Sequence, residues 1–243
     1  MKLAGKWAGD RVMPAFQDLW PRWRQAVVTA AYRGVLCFGP NKGRRVTYTN
    51  PRRWFPGFKP ASEDQAIAAV MRRYLSAYGP ATPQQFAQWI GAPAAWAVEQ
   101  FERHPRLLTK INFDGTPAWV ASSDTAMPGE SDAKGSVLLL PYFDAYAVGS
   151  HPRSQLFPGG AATRALAPSG QAGNYPVLLI DGVVAGVWHQ RRSGRQIEVT
   201  VEPLTRLTAS QLRALEHQVV RIGEILEGKA RLTVGTVSTG GHA

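Results

Sequence analysis

The dipeptide Asp114-Gly115 lies between two runs of strand-forming residues, 107–113 and 116–121, and no other feature constrains the fold of this chain as tightly. A two-residue turn with both residues at positive φ matches the twist of paired strands, and Asp-Gly takes that conformation readily. A β-hairpin is therefore expected over 107–121. Three helical segments stand ahead of it. Ser62 with Gln65, and Thr82 with Gln85, each place a hydroxyl at a helix start and a glutamine three residues on. The hydroxyl accepts from a free backbone N–H while the amide reaches back, which satisfies two orphan donors. Pro83 sits at the first helical position of the second segment, where its missing N–H costs nothing. The expected helices run over about 62–78, 83–90 and 93–104. In the first, Ala66, Val70, Tyr74 and Ala77 fall on one side with Ile67 and Met71 adjoining, a core-facing stripe. Gly79-Pro80 stops it, Gly91 breaks the second, and the third carries Trp96, Val98 and Phe101. Three helices followed by a hairpin is the order of a winged helix-turn-helix unit.

The charge of the chain is concentrated ahead of that unit. Residues 1–60 hold twelve Lys/Arg and two Asp, whereas residues 61–243 hold sixteen basic and fifteen acidic side chains, so nearly all of the net +11 lies in one segment. A folded, one-sided basic surface suits a polyanion, because each phosphate it neutralises releases condensed counterions. A solubilising or membrane-surface patch is the alternative. The segment reads as the second half of another winged helix. A helical stretch over 21–32 runs into Gly34, and a hairpin over Val35–Thr49 follows, with Asn41-Lys42-Gly43 at its tip. Residues 1–20 offer at most one helix, around 14–20. On this reading Arg22 and Arg24 open a recognition helix, and Lys42, Arg44 and Arg45 lie on the wing. With Arg33, Arg52 and Arg53 they form the expected DNA-binding set, most of them facing phosphates rather than base edges.

Beyond 123–136, a polar stretch expected to be a linker, the chain becomes β-rich. Strands are expected at 137–141, 145–149, 176–181, 183–190 and 196–201, with turns at Asp181-Gly182 and Ser193-Gly194. Residues 152–174 read as loop. Thr208 and Gln211 cap a last helix over 208–227 that places Leu212, Leu215, Val219, Ile222 and Ile225/Leu226 on one face, and a strand pair or a frayed tail ends the chain. The fold class expected is α+β: winged-helix units followed by a β-rich, barrel-like C-terminal domain with a terminal helix. The expected domains are a partial winged helix with a basic wing (1–58), a winged helix (59–123), a linker (124–136) and the β-rich domain (137–243).

The 44% hydrophobic content and eight Trp exclude a disordered chain. No apolar run approaches the roughly 18–20 residues that span a bilayer, and the N-terminus lacks the apolar core of a signal peptide. The single cysteine, Cys37, reads as a buried structural thiol. A cytoplasmic location and a monomer with no membrane partner are expected. The five His and one Cys show no zinc spacing, and neither a phosphate-binding loop nor a nucleophile elbow is present, so no metal and no cofactor are expected.

Several stretches together carry a resemblance. They are Arg33-Gly34-Val35-Leu36-Cys37-Phe38-Gly39-Pro40, Tyr78-Gly79-Pro80-Ala81-Thr82, Trp89-Ile90-Gly91, Leu138 through Tyr146, and Pro176 through Trp188 with Val199-Thr200-Val201-Glu202-Pro203-Leu204. In this order they resemble the tandem winged-helix family of the AlkZ and YcaQ type, over nearly the whole chain. The resemblance implies three tandem winged helices and a C-terminal barrel-like domain. It also implies excision of alkylated bases or unhooking of interstrand cross-links in double-stranded DNA. The family's catalytic pair is a Gln-x-Gln or Gln-x-Asp element near the N-terminal winged helix, which positions or activates water at the anomeric carbon. No such element occurs in these 243 residues. The nearest candidates, Gln84-Gln85 and Gln85-Phe86-Ala87-Gln88, lie in a helix of the wrong unit. No catalytic residue is assigned, and the expectation is a DNA-binding relative of base-excision glycosylases that is not catalytic as it stands. It is either truncated at its front, which the half winged helix favours, or binding-only by nature.

Two other readings remain. A winged-helix transcriptional regulator would use the same basic surface, but would normally dimerise on a palindromic site, and no dimerisation helix is evident. An enzyme acting through Asp144, His151 or Arg153 is the third, against which a structural ion pair or turn cap is the simpler role. His189, beside Trp188 in a strand pattern, reads as a strand-face histidine, with a contact to DNA or a base as the alternative.

Overall fold

The computed structural model describes residues 5–15, 18–124 and 135–240. Its contacts divide the chain into two compact units, through residue 66 and from residue 67 onward.

In the first unit a 3-10 turn, Lys6–Gly9, precedes an antiparallel hairpin of β1 (Arg11–Ala15) and β2 (Asp18–Pro21), with Met13 opposite Trp20. The helix expected over 14–20 is therefore a strand pair. An edge strand tolerates Pro14 as readily as a helix start does, and an Arg11–Asp18 ion pair ties the two strands together. Helix α1 (Trp23–Tyr32) follows with Arg22 at its N-cap, and none of its residues is buried within the chain. The hairpin expected over 35–49 is present. β3 (Cys37–Phe38) pairs with β4 (Tyr48–Thr49), and the rings of Phe38 and Tyr48 stack at 5.6 Å. Its tip is closed by reciprocal backbone bonds between Lys42 and Arg45, with Gly43 at φ +60°. Cys37 is half-buried here, because a two-residue strand in a small hairpin has no core to place it in. Asn50 then caps the 3-10 turn Pro51–Arg53, its side chain accepting from the Arg52 N–H at 2.9 Å.

The winged helix read from the sequence is observed. Helices α2 (Glu63–Tyr78), α3 (Pro83–Ile90) and α4 (Ala94–Arg103) precede the hairpin of β5 (Leu108–Phe113) and β6 (Thr116–Ala121). Asp114 and Gly115 take φ +49° and +76°, the turn the dipeptide demands. The reciprocal cap at Thr82 forms as expected: the Gln85 N–H donates to the hydroxyl at 3.2 Å and the Thr82 N–H to the Gln85 amide oxygen at 2.8 Å. At Ser62 the Gln65 N–H donates to the hydroxyl at 3.4 Å. Gly91 ends α3 in the left-handed conformation. Ala81 and Trp119 exchange both backbone bonds, so the segment between α2 and α3 adds a third short strand to the wing.

One helix face is corrected. Ala66 and Ala77 of α2 are exposed, and the buried face is Met71, Tyr74 and Leu75, flanked by Ile67 and Tyr78. The larger side chains decide the orientation, since they have more apolar area to remove from water. They close on Phe86, Ala97 and Phe101, and burial with the neighbouring Tyr78 pushes the Tyr74 hydroxyl up to about 12.

The C-terminal part is a half-barrel sheet. β7 (Val137–Leu140), β8 (Val177–Ile180), β9 (Val183–Ser193) and β10 (Gln196–Pro203) run antiparallel in sequence order, and β11 (Lys229–Val234) pairs parallel to β10 after the crossover helix α8 (Ala209–Ile225). Where a strand pair or a frayed tail is expected, one strand, β11, stands against β10. Strand alternation divides the core. Leu178, Ile180, Trp188, Ile197, Val199 and Val201 face α8, which meets them with Leu215 and Val219. Leu212 and Ile225, expected on that face, are exposed. Val177, Leu179, Val184 and Val187 face the other way, onto α5 (Ala145–Gly149), α6 (Arg153–Leu156) and α7 (Gly160–Ala165).

These helices correct two expectations. Residues 145–149 form a helix, not a strand, because the Asp144 carboxylate accepts from the Tyr146 N–H at 2.9 Å and caps it. The segment 152–174 holds α6 and α7, each too short to show a periodicity. The winged helix meets this layer through Tyr78, whose hydroxyl donates to the Ala145 carbonyl at 2.9 Å. A Cβ at position 149 would lie 2.6 Å from the Tyr78 ring.

Candidate nucleic-acid interface

The eight basic residues singled out in the sequence all belong to the first unit, on three local structures. Arg22 and Arg24 stand at the N-cap and in the first turn of α1. Their guanidinium groups lie against tryptophans: Arg24 is 4.1 Å from the Trp20 ring centre and 5.7 Å from Trp23, and Arg22 is 5.8 Å from Trp7. The ring quadrupole attracts the cation and fixes its plane. The Nε atoms of both arginines are shielded from solvent without a hydrogen-bond partner. Arg33 is the C-cap of α1, where a cation complements the helix dipole. Lys42, Arg44 and Arg45 form the exposed tip of the β3–β4 hairpin, and Arg52 and Arg53 lie exposed on the 3-10 turn that follows. No salt bridge among the described residues involves any of the eight. They are charges the fold leaves uncompensated.

Two of the other candidates hold local structure. Asp144 caps α5, as above. The Arg153 guanidinium donates to the carbonyls of Ala147 (2.8 Å), Ser150 (2.6 Å) and Val148 (2.6 Å), closing the C-terminal end of the same helix. His151 lies beside it, and burial together with the Arg153 charge pushes its pKa below the ordinary histidine value. The three residues are close in space, yet two of them are committed to holding one turn of helix. His189 lies half-buried on β9.

The sequence reading missed one further cluster. Arg164 of α7 forks onto Glu202 of β10, Nε to Oε1 and Nη2 to Oε2 both at 2.9 Å, and Nη2 also donates to the Val237 carbonyl at 2.8 Å. The Val237 N–H returns a bond to Glu202 Oε2 at 2.7 Å. The Arg164 bonds hold the Glu202 carboxyl below its usual range. No short motif signals residues 38 and 73 positions apart; only a carboxylate on an otherwise apolar strand end hinted at a partner.

Among the described residues no helix is long and apolar enough to cross a membrane.

Fold and surface together define an α+β protein with a winged helix, a half-barrel sheet and a strongly basic first unit. Residues 4–225 match the family described as DNA glycosylase AlkZ-like, and the chain belongs to that family. It is 28% identical over 240 residues to an interstrand DNA cross-link repair glycosylase of Streptomyces sahachiroi, covering 95% of this chain and 62% of that protein. The solved structure of the Streptomyces sahachiroi DNA glycosylase AlkZ superposes with a TM-score of 0.71 at 26% identity, over 88% of this chain and 58% of that one. The chain thus spans about three fifths of the length of the relatives it matches.

Proposed function

We propose that this chain binds double-stranded DNA through its first unit, as a monomer, with α1 as the recognition helix and the β3–β4 hairpin as the wing. Alkylated or cross-linked duplex is the ligand class, by analogy with the cross-link repair glycosylase it resembles. The observation that carries the reading is the set of eight uncompensated cations on one small unit, in a family of DNA glycosylases. Their contacts are mainly to phosphates, which position a protein on the duplex without reading sequence. The 243-residue chain itself does not hydrolyse the N-glycosidic bond, since it carries no Gln-x-Gln or Gln-x-Asp pair to direct water.

The test is binding of a labelled duplex across a salt series. The log of the affinity should fall linearly with log salt, and replacing Lys42, Arg44 and Arg45 together by alanine should flatten the slope by roughly 0.9 for each lost contact. A flat salt dependence of the unaltered chain removes the phosphate reading. Release of an alkylated base from duplex DNA by the purified chain removes the non-catalytic one.

A further inference from the structure

The strand register of the half-barrel sheet brings a second set of phosphate-compatible side chains together. β9, β10 and β11 pair in register, so three rows of side chains project from one face. Arg191, Glu198 and Arg231 form one row; Ser193, Gln196 and Lys229 form the next toward the β9–β10 turn. His189, Thr200 and Thr233 form the row on the other side. One step further along, Val187 and Glu202 belong to the same face, and there α7 covers the sheet through Arg164. Among the described residues the helical cover thins beyond that row. Beyond it every one of the nine side chains is exposed or half-buried.

The opposite face of the same strands is closed. Ile197, Ala230 and Leu232 pack toward α8, and Arg192, which points that way, donates to the Leu226 carbonyl at 2.9 Å. The open face is continuously paired, and it is rich in donors. It carries three permanent cations, an imidazole, hydroxyls and an amide, against a single carboxylate, Glu198, which Arg191 holds at 2.8 Å. Neighbouring strands stand about 4.8 Å apart, and alternate residues of one strand about 6.6 Å apart. Lys229 and Arg231 are thus held side by side on β11.

We propose that this open end of the sheet is a second DNA-binding surface, taking the sugar–phosphate backbone on Arg191, Lys229 and Arg231. It rests on the reading that the chain binds DNA, and adds a contact surface outside the first unit. Glu198 acts against binding: it occupies the centre of the cationic row and engages Arg191. Removing its charge therefore frees a contact and lifts a repulsion in one step.

The experiment uses the full chain and a fluorescein-labelled duplex, read by anisotropy over a salt series. Lys229→Ala/Arg231→Ala should weaken binding about tenfold or more at low salt and reduce the slope of log affinity against log salt by roughly 1 to 2 units. Glu198→Gln should tighten binding several-fold, a gain that loss of folding cannot imitate. Unchanged affinity and slope in the double variant, or unchanged or weaker binding by Glu198→Gln, overturns the proposal. If the double variant self-associates while its DNA affinity is unchanged, the two cations guard the edge of β11, and the proposal falls on that outcome too. Loss of binding by Lys42→Ala/Arg44→Ala/Arg45→Ala with none in the sheet variants leaves the first-unit reading standing and removes this one. No binding by the unaltered chain removes both.

Discussion

Breaking the Arg164–Glu202 fork should loosen one end of the half-barrel, and the geometry sets how much. Glu202 accepts three charge-assisted bonds, two from Arg164 and one from the Val237 N–H, at 2.7–2.9 Å. The two side chains keep 23% and 20% of their area exposed, so the pair lies between a surface bridge, worth up to about 1 kcal/mol, and a buried one, whose rupture costs about 3–5 kcal/mol. Glu202→Ala should therefore cost about 2–3 kcal/mol, and a double-mutant cycle with Arg164→Ala should return a coupling of about 1.5–2.5 kcal/mol at neutral pH. The Arg164 bonds lower the Glu202 pKa in the folded chain. Its contribution is then fully present above the ordinary Glu value of about 4.3 and lost as pH falls through the lowered folded value. The coupling should fade over that acidic window and not elsewhere. Urea denaturation supplies the energies. Amide exchange supplies a local readout, because the Val237 N–H should exchange faster in Glu202→Ala while amides of the winged helix are unchanged. A coupling below about 0.5 kcal/mol, or one that persists in acid, would refute the assignment.

Gly149→Val should destabilise the junction of the winged helix with the α5 layer, because its first side-chain carbon would meet the Tyr78 ring at 2.6 Å; limited proteolysis near residue 149 is the readout, and unaltered resistance would count against the contact. Tyr78→Phe removes only the bond to the Ala145 carbonyl and should cost about 0.5–1.5 kcal/mol in a urea titration. Thr82→Ala and Thr208→Ala, which each remove one half of a reciprocal cap, should cost about 1 kcal/mol apiece and add independently, as sites in separate layers do.

What was legible in the sequence is what local chemistry encodes. Thr82-Pro83 with Gln85, Gly91, Asp114-Gly115 and Thr208 with Gln211 each specify one backbone event within four residues, and the elements they bound are found almost to the residue. Failures came where the deciding partner is distant or the element is short. Residues 145–149 alternate like a strand, and only the Asp144 cap, a one-residue signal, turns them helical. Ala66 and Ala77 fit the helical period of α2 as well as Leu75 does; size, settled by packing against Phe86 and Phe101, chose the face. The hairpin at 11–21 was hidden because Pro14 and Trp20 suit a helix end and a strand about equally.

Charge shows the same division between what a segment states and what a fold assembles. The twelve cations of the first sixty residues are visible as a run, so the candidate interface could be read directly. The later part of the chain is nearly neutral by count, and a count treats every charge as equally available to a ligand. The fold does not. Arg153 and Arg192 have hydrogen-bond donors turned onto backbone carbonyls, and Arg164 is joined to Glu202, so none of the three is a free surface cation. Lys229 and Arg231 are 38 or more positions from Arg191 in sequence, yet in register with its hairpin partner residues in space. A near-zero sum over residues 61–243 is therefore compatible with a locally cationic face, and the sign of the Glu198→Gln effect on DNA affinity measures that face rather than the sum.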